Sequence, residues 1–390
     1  MDNLTHSLVG LAAAKAGLER LSPYATALCV VAANGPDADL VMLVGGSWTY
    51  LEHHRGLSHA AVGTLALALL WPLLFYAGDF VVARLRGRPR RARLGALVLA
   101  SLVVSASHPL MDWTNNYGVR PLLPWDSRWF YGDLVFIIDP WLWLMLGGAA
   151  FLLTAKKKWR LAAWALLATL ATGAILFLPQ QRDIPFPLAA RLLWAAGVAA
   201  LVFTYRARAA KRWGAGVAVV ALAFVVVYWG ALAALHRRAL AQAQARASEL
   251  AGARAERLLG VAAMPMLADP TRWRTVAETE RAFLRFDVKL TEPEAPPLDL
   301  ARFEKPQPEE TALVARAAQD RRAEIFLDFA RFPAVRLSRN CAEQTLVQFA
   351  DLRFTEPGAP SRGTFSLEIP VGGGGEAINQ KSGAEDGDKK

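Results

Sequence analysis

The sequence predicts a polytopic α-helical membrane protein of about seven or eight spans, one of them broken, with a C-terminal extracytoplasmic α+β domain. Three observations lead to this prediction. Hydrophobic residues make up 54% of the 390 residues, and the mean hydropathy is positive, which is unusual for a water-soluble chain. Apolar runs of nearly membrane-crossing length recur along the first 235 residues, and basic residues are concentrated between these runs.

Six apolar runs predict uninterrupted spans, at residues 60–78, 94–111, 134–155, 161–178, 188–205 and 214–235. A seventh run, 23–46, is interrupted by Gly35 and Pro36 and by the carboxylates that follow them. Irregular backbone is tolerated at membrane depth where it lines a cavity, so we expect a broken span there. The short run 3–18 would be the eighth.

Basic residues form three clusters, at 84–93, 156–160 and 206–212, and two spans separate each cluster from the next. All three therefore fall on one side, which the positive-inside rule assigns to the cytoplasm. The loops 47–59, 112–133 and 179–187 and the chain after residue 236 then face outward. The formal charge is +10, but its basic residues cluster in short connectors between apolar runs, so we expect no nucleic-acid partner.

The composition changes after the last run, and three domains are expected. Residues 1–235 form the transmembrane domain and 236–371 a soluble domain with helical character at 309–330. Alternating patterns at 284–290 and 365–371 predict antiparallel strands, the second at a sheet edge because of Pro370. The glycine-rich, charged segment 372–390 is expected to be disordered.

Five of the six histidines lie within the first 108 residues, near aspartates in otherwise apolar sequence. An ionisable group at membrane depth costs roughly 2.5–3.5 kcal/mol on insertion scales, so such groups usually pair, bind an ion or do chemistry. Metal binding is therefore a hypothesis to test at each pair.

His108 and Asp112 are four residues apart at a span end, so both lie on one helix face and can reach one cation. A hydrogen bond that closes the helix end explains that spacing equally well. Asp37 and Asp39 are two apart after the proline break, and paired carboxylates suit divalent cations, although a solvated turn is the alternative.

His54 and His59 bring imidazoles to the mouth of the next span, with Arg55 between them. Imidazole suits zinc, manganese, iron or nickel, and a guanidinium could hold an anionic oxygen. Contact with lipid headgroups is the alternative for Arg55. His6 could join the other histidines if the first short helix crosses the membrane.

The chain resembles the YdjM-like family of inner-membrane, metal-dependent hydrolases. The resemblance rests on Asp2-Asn3-Leu4-Thr5-His6, Pro36-Asp37-Ala38-Asp39, His54-Arg55-Gly56-Leu57-Ser58-His59, His108-Pro109-Leu110-Met111-Asp112, Tyr131-Gly132-Asp133 through Ile138-Asp139-Pro140, Arg331-Phe332-Pro333 and Asp351-Leu352-Arg353-Phe354. It implies a multi-pass protein of the bacterial inner membrane, with a hydrolytic activity whose substrate the family does not fix.

The resulting hypothesis is a hydrolase that acts at the outer face on an ester or phosphoester, with membrane lipids and a small or lipid-linked substrate as partners. One or two divalent ions, zinc first and manganese, iron or nickel as alternatives, would activate a water molecule. Asp139 or Asp133 would be the general base, and Arg55 would stabilise developing charge. The expected metal ligands are His6, Asp37, Asp39, His54, His59, His108 and Asp112.

Two other functions fit the same residues. A metal-ion transporter would use the broken span beside intramembrane carboxylates. A scaffold would use the histidines structurally and would present the C-terminal domain. Convergence of the ligands in one compact site favours the enzyme, a polar path across the membrane favours the transporter, and scattered pairs favour the scaffold.

Overall fold

The computed structural model describes residues 1–181, 186–292, 296–339, 344–359 and 363–372. The chain divides into two compact units, Met1–Phe303 and Glu304–Lys390. The first unit contains the helical region together with a four-stranded sheet. The expected boundary between membrane and soluble domains, at residue 235, falls inside a continuous helix of this first unit. The expected disordered tail, 372–390, lies almost wholly outside the described residues.

Besides a short 3-10 turn at Leu18–Arg20, the first half of the helical region contains five α-helices and one longer 3-10 segment. These are α1 (Asn3–Ala16), α2 (Ala25–Asn34), the 3-10 segment Pro36–Gly45, α3 (Ser47–His53), α4 (Ala61–Leu85) and α5 (Leu94–Trp113).

The second half begins with a helix that contains a π-helical turn and ends with the longest helix of the chain. Its elements are α6 (Pro140–Leu142), the π-turn Trp143–Gly147, α7 (Gly148–Thr154), α8 (Lys158–Gln181), α9 (Leu188–Arg206), α10 (Ala209–Trp213) and α11 (Gly216–Gly252).

Five of the described helices are long and apolar enough to cross a membrane, namely α4, α5, α8, α9 and α11. The pair formed by α2 and the 3-10 segment raises this number to six if it counts as one span. The count of seven or eight spans is not confirmed. The expected span 134–155 corresponds to a 15-residue apolar helix, Pro140–Thr154, and α1 has only 14 residues. Both are shorter than the roughly 20 residues that a full crossing requires.

The expected break in the 23–46 run is present, because α2 and the 3-10 segment are bent by 52°. Pro36 is the first residue after the break and has no N–H to continue the hydrogen bonding of α2. Gly35 allows a close approach, since a Cβ there would lie 2.4 Å from the indole nitrogen of Trp71 on α4. The bend places Asp37 and Asp39 at the start of the new segment.

α11 carries the first sheet on its second half. With 37 residues it is about 55 Å long, so it extends well beyond the roughly 30 Å of a hydrocarbon core. Ala239, Ala243 and Ala247 recur every four residues on one face and pack with Trp273 and Phe286 of the sheet. Small side chains at this spacing let the sheet approach the helix closely.

The sheet has the order β1-β2-β3-β4, with strands Leu258–Met266, Asp269–Thr279, Ala282–Lys289 and Leu298–Glu304. β1 to β3 pair antiparallel, and β3 corresponds to the strand expected at 284–290. Ala268, in the β1–β2 turn, packs on Trp194 near the start of α9. The sheet therefore lies at the end of the helices that is opposite to the basic connectors.

The second unit contains α12 (Pro308–Ala317), α13 (Arg321–Phe329) and the antiparallel sheet β5-β6-β7. Its strands are Pro333–Arg339, Thr345–Asp351 and Ser366–Val371. The two helices occupy the segment for which helical character was expected. β7 pairs only with β6 in the described sheet, as expected from Pro370. Phe326 and Phe329 of α13 are fully buried in this unit.

Candidate metal centre

The predicted ligands other than His6 come from three separate segments that meet at one end of the helical region. The start of the 3-10 segment supplies Asp37 and Asp39, and the last turns of α5 supply His108 and Asp112. The connection between α3 and α4 supplies His54 and His59. Since α4 and α5 are antiparallel neighbours, the residues before α4 lie next to the end of α5.

Asp37, His59, His108 and Asp112 bring one ligand atom each to a common point, and we call them the four-ligand cluster. The Nε2 atoms of His59 and His108 are 3.1 Å apart. His59 Nε2 lies 3.3 Å from both Asp37 Oδ1 and Asp112 Oδ2. His108 Nε2 lies 3.5 and 3.4 Å from the same two oxygens. His59, His108 and Asp112 are almost completely buried.

In their neutral forms, both histidines have hydrogen bonds that would direct an unprotonated Nε2 toward this point. His108 Nδ1 lies 2.6 Å from the carbonyl oxygen of Ala33, which can only accept, so the neutral ring keeps its proton on Nδ1. Ser58 Oγ donates to Asp39 Oδ2 over 3.1 Å and can therefore accept from His59 Nδ1, 2.9 Å away. Partners of this kind fix the tautomer of metal-binding histidines.

The spacing of the four ligand atoms fits a tetrahedral zinc site. Zinc lies about 2.0–2.1 Å from nitrogen and oxygen ligands, and this bond length places tetrahedral ligand atoms roughly 3.3 Å apart. The five separations given above run from 3.1 to 3.5 Å. The donor set, two imidazoles and two carboxylates, also suits zinc. The residues therefore fit the metal that the sequence predicts.

A second group, Asp37, Asp39 and His54, shares Asp37 with the four-ligand cluster. Asp39 is already surrounded by donors, because its carboxylate accepts from the Arg55 N–H at 3.1 Å and lies 3.2 Å from His54 Nδ1. It also accepts from the hydroxyl of Ser58. Asp39 thus orients its neighbours in the present geometry, while its group remains able to hold a second ion.

Arg55 supports Asp112. Its guanidinium donates to Asp112 Oδ1 at 3.0 Å and to Asn115 Oδ1 at 3.1 Å, and it stacks 4.5 Å from the centre of the Tyr117 ring. A third bond goes to the carbonyl of Gly118. The side chain is only 3% exposed, and in this geometry it holds Asp112 in position. The predicted role of Arg55 in stabilising charge on the substrate stays a prediction.

His6 of α1 lies beside the four-ligand cluster. Its ring stacks on that of His108 with 3.7 Å between centroids, and Nε2 is 3.4 Å from Asp112 Oδ1. Neither ring nitrogen has a hydrogen-bond partner in the described part of the chain, although the side chain is buried. A buried imidazole without partners is costly unless an ion or water satisfies it. The Met1 backbone nitrogen also contacts Asp112 Oδ1.

Asp139 and Asp133 were predicted as the general base. Neither residue belongs to the two groups of possible metal ligands described above. Asp139 caps α6 by accepting from the N–H groups of Trp141 and Leu142, and its other oxygen accepts from Tyr228 on α11 at 2.9 Å. Both oxygens thus accept hydrogen bonds, and the role of Asp139 as a general base stays a prediction. Asp133 is buried with a left-handed φ of 52°, next to the backbone that follows α5.

Carboxylates dominate the electrostatics around His59. Burial alone would lower the pKa of this imidazole, but its hydrogen bonds with Asp112, Asp37 and Asp39 outweigh burial and raise the pKa to about 10. Even with Arg55 beside Asp112, the surroundings therefore favour a positive charge at this point. Either a proton or a metal ion can provide it.

Sequence reasoning assigned no role to three partners that position the ligands. Ser58 links His59 to Asp39, the carbonyl of Ala33 holds His108, and Asn115 holds Arg55. The only sequence signal for Ser58 is its place directly before a histidine. A backbone carbonyl gives no signal at all, because every residue has one.

Residues 1–180 match the family model described as YdjM inner membrane protein. No curated protein and no solved structure matches the chain. The resemblance expected at residues 331–354 lies beyond this match and stays a prediction. The matched region is similar to the YdjM inner membrane proteins, and it contains every residue of the four-ligand cluster. Together with the apolar helices of membrane-crossing length, this similarity supports a membrane location for the chain.

Proposed function

We propose that this protein is a metal-dependent hydrolase of the inner membrane, and that its four-ligand cluster holds a divalent ion, with zinc as the best fit. The observation that carries the proposal is the 3.1 Å approach of the two Nε2 atoms between two carboxylate oxygens. Four electron-rich atoms face one another there in a buried site. Their mutual repulsion is relieved by a cation, and their spacing suits a tetrahedral metal.

Within this proposal the residues have distinct tasks. Asp37, His59, His108 and Asp112 hold the ion, while Arg55 and Ser58 keep Asp112 and His59 in position. A bound divalent ion would lower the pKa of a water molecule and polarise the substrate. Asp39 contacts Nδ1 of His54, which leaves Nε2 of that ring as the atom that can accept a proton from the attacking water.

The more open side of the site favours a lipid or lipid-linked ester or phosphoester as substrate. The side chains of Asp37 and His54 are each 13% exposed, in contrast to the enclosed His59 and His108. The 3-10 segment that carries Asp37 continues into apolar side chains that are largely exposed, including Leu40, Val41 and Val44. A substrate with an apolar part could approach the ion along this segment, which we place at the outer face.

Transport is the less favoured function. The 52° bend in the α2 pair resembles the broken helices of transporters. Both groups of metal-ligating side chains found in the described residues, however, lie at the same end of the helices and share Asp37. A compact site at one end suits chemistry on a bound substrate better than passage of an ion.

The first experiment is elemental analysis of detergent-purified protein. We expect about one zinc per chain in the wild type and almost none in His108→Ala. His53→Ala is the matched control, because His53 is an exposed histidine of the same segment whose Nδ1 faces the carbonyl of Thr49. Loss of metal in both variants, or its absence from the wild type after incubation with zinc and manganese, would contradict the site.

A second experiment separates binding from chemistry. Wild type, His108→Ala and His54→Ala are assayed for hydrolysis of lipid phosphoesters and of water-soluble phosphoesters. We expect His54→Ala to retain the metal but to lose turnover, whereas His108→Ala loses both. Two metals per chain in the wild type, one of them lost in His54→Ala, would change the assignment of His54 from proton acceptor to ligand. Metal-loaded protein without turnover on either substrate class, but with metal uptake in vesicles, would favour transport.

A further inference from the structure

Two adjoining cavities lie along α1, away from the four-ligand cluster. The first, which we call the groove, has a volume of about 430 Å³ and an almost wholly apolar lining. Leu8 of α1, Phe151 of α7, Trp164 of α8 and Leu201 of α9 are among its lining residues. A cavity of this size and character suits a hydrocarbon chain.

The second, which we call the basic cavity, has a volume of about 750 Å³. Its lining contains six basic residues from the ends of α1, α7, α9 and α10, namely Lys15, Arg20, Lys156, Arg206, Arg208 and Lys211. Glu19 is the acidic residue of the lining, and it already pairs with Lys15 at 2.6 Å. Among the described residues, no ion pair or side-chain hydrogen bond engages the other five. The cavity therefore has a strong excess of positive charge without protein counter-charges.

The groove and the basic cavity meet at Tyr205 and Arg206, which line both. Two aromatic side chains of the groove direct their polar atoms toward the end of α7. Trp164 donates its indole N–H to Thr154 Oγ1 at 2.8 Å, and the Tyr205 hydroxyl donates to the carbonyl of Ala155 at 3.2 Å. Tryptophan and tyrosine are enriched where hydrocarbon meets water, so this junction lies at an interface level.

The junction is a different place from the metal site. His6 is near the start of α1 and Lys15 is near its end, so nine residues of helix separate them, which is roughly 14 Å along the axis. The basic connectors that line the cavity are those that the positive-inside rule assigns to the cytoplasm. The cytoplasmic leaflet is also the one in which anionic lipid headgroups attract basic pockets between helices.

We propose that the groove and the basic cavity together bind one anionic phospholipid. An acyl chain lies in the groove, and the headgroup phosphate contacts Lys156 and Arg206 at the junction. The apolar lining alone would accept any lipid chain. The unpaired basic side chains select a negatively charged headgroup over a zwitterionic one, and the groove selects a lipid over free phosphate.

The experiment measures lipid retention in the full-length protein by native mass spectrometry. Phosphatidylglycerol, phosphatidylcholine with identical chains, and inorganic phosphate are each added to delipidated protein. We expect retention of phosphatidylglycerol in preference to the other two. In Lys156→Gln/Arg206→Gln the preference should fall by roughly 30-fold, because each basic side chain near an anionic surface contributes about 1 kcal/mol.

Arg84→Gln/Arg86→Gln is the matched control, since these basic residues lie at the C-terminal end of α4 and line neither cavity. It should behave like the wild type. Ala168→Trp fills the groove and should reduce retention of the lipid while the thermal unfolding temperature in detergent is unchanged. Equal retention of the two phospholipids, an equal loss in both double variants, or phosphate binding that competes with the lipid at equal concentration would each overturn the proposal.

Discussion

Buried carboxylates lie near both ends of α4. The two sites differ in how many hydrogen-bond donors and acceptors surround the carboxylates. Near the C-terminal end, Asp79 accepts from the N–H groups of Arg91 and Ala92, from the Arg88 guanidinium and from the Tyr24 hydroxyl. Every partner there is a donor. Beyond the N-terminal end, two carboxylates and two imidazole lone pairs of the four-ligand cluster face one another.

The difference shows that burial of a charged residue does not by itself indicate function. The burial of Asp79 is explained by protein hydrogen-bond donors, through which its carboxylate joins the end of α4 to the connector before α5. The four-ligand cluster has excess acceptors and needs a positive charge from outside the chain. Three predictions test this contrast, from the largest expected effect to the smallest.

Removal of metal should destabilise the wild type and the Asp79→Asn variant to the same extent, and should not affect Asp112→Asn. A ligand present at a thousandfold excess over its Kd stabilises the native state by about 4 kcal/mol. Thermal unfolding in detergent, with and without a chelator, measures the effect. An equal response to the chelator in Asp112→Asn would show that the stabilising metal binds elsewhere.

Asp79→Asn should lower the unfolding temperature by several degrees without changing the metal content per folded chain. The amide has one acceptor oxygen where the carboxylate has two, so either the N–H groups of Arg91 and Ala92 or the side chains of Arg88 and Tyr24 lose their acceptor. The measurement pairs differential scanning fluorimetry with elemental analysis of the same sample. Loss of metal in this variant would mean that the two ends of α4 are energetically coupled.

Ser58→Ala should weaken metal binding by about 10- to 100-fold, as is usual when a partner of a metal-binding histidine is removed. The ligands all remain, but His59 loses the hydroxyl that connects its Nδ1 to Asp39. Competition with a chromophoric chelator gives the affinity. Ser107→Ala is the control, because within the described residues the Ser107 hydroxyl donates to the carbonyl of Val104, one turn earlier in α5, and to no group of the site. Equal affinities in the two variants would remove Ser58 from the site.

Much of the candidate site could be predicted because it depends on local spacing combined with topology. Residues four apart on a helix share a face, which relates His108 to Asp112. The positions of the arginine clusters then place the ends of α4 and α5 together. The bend at Pro36 followed from the absence of a backbone donor. These inferences need only the order of residues along the chain.

What could not be predicted depends on contacts between segments far apart in sequence. Asp139 was assigned as a base because it precedes a proline near a span end, and only the contact with Tyr228, 89 residues later, shows that its oxygens are occupied. Arg55 was expected to meet substrate, but Asn115 and Gly118 bind its guanidinium. The count of seven or eight spans is not confirmed, because hydropathy does not show where a helix ends and two of the expected spans correspond to helices of 14 and 15 residues.

The continuous helix α11 has a mechanical consequence. Tyr228, in its apolar half, is bonded to Asp139 at the helical end that contains the metal site, and the alanines of its second half hold the first sheet. Because the helix is continuous between Tyr228 and the sheet, a rotation of the sheet would be transmitted along the helix to Tyr228. The orientation of the sheet is therefore coupled to the helices that hold Asp139.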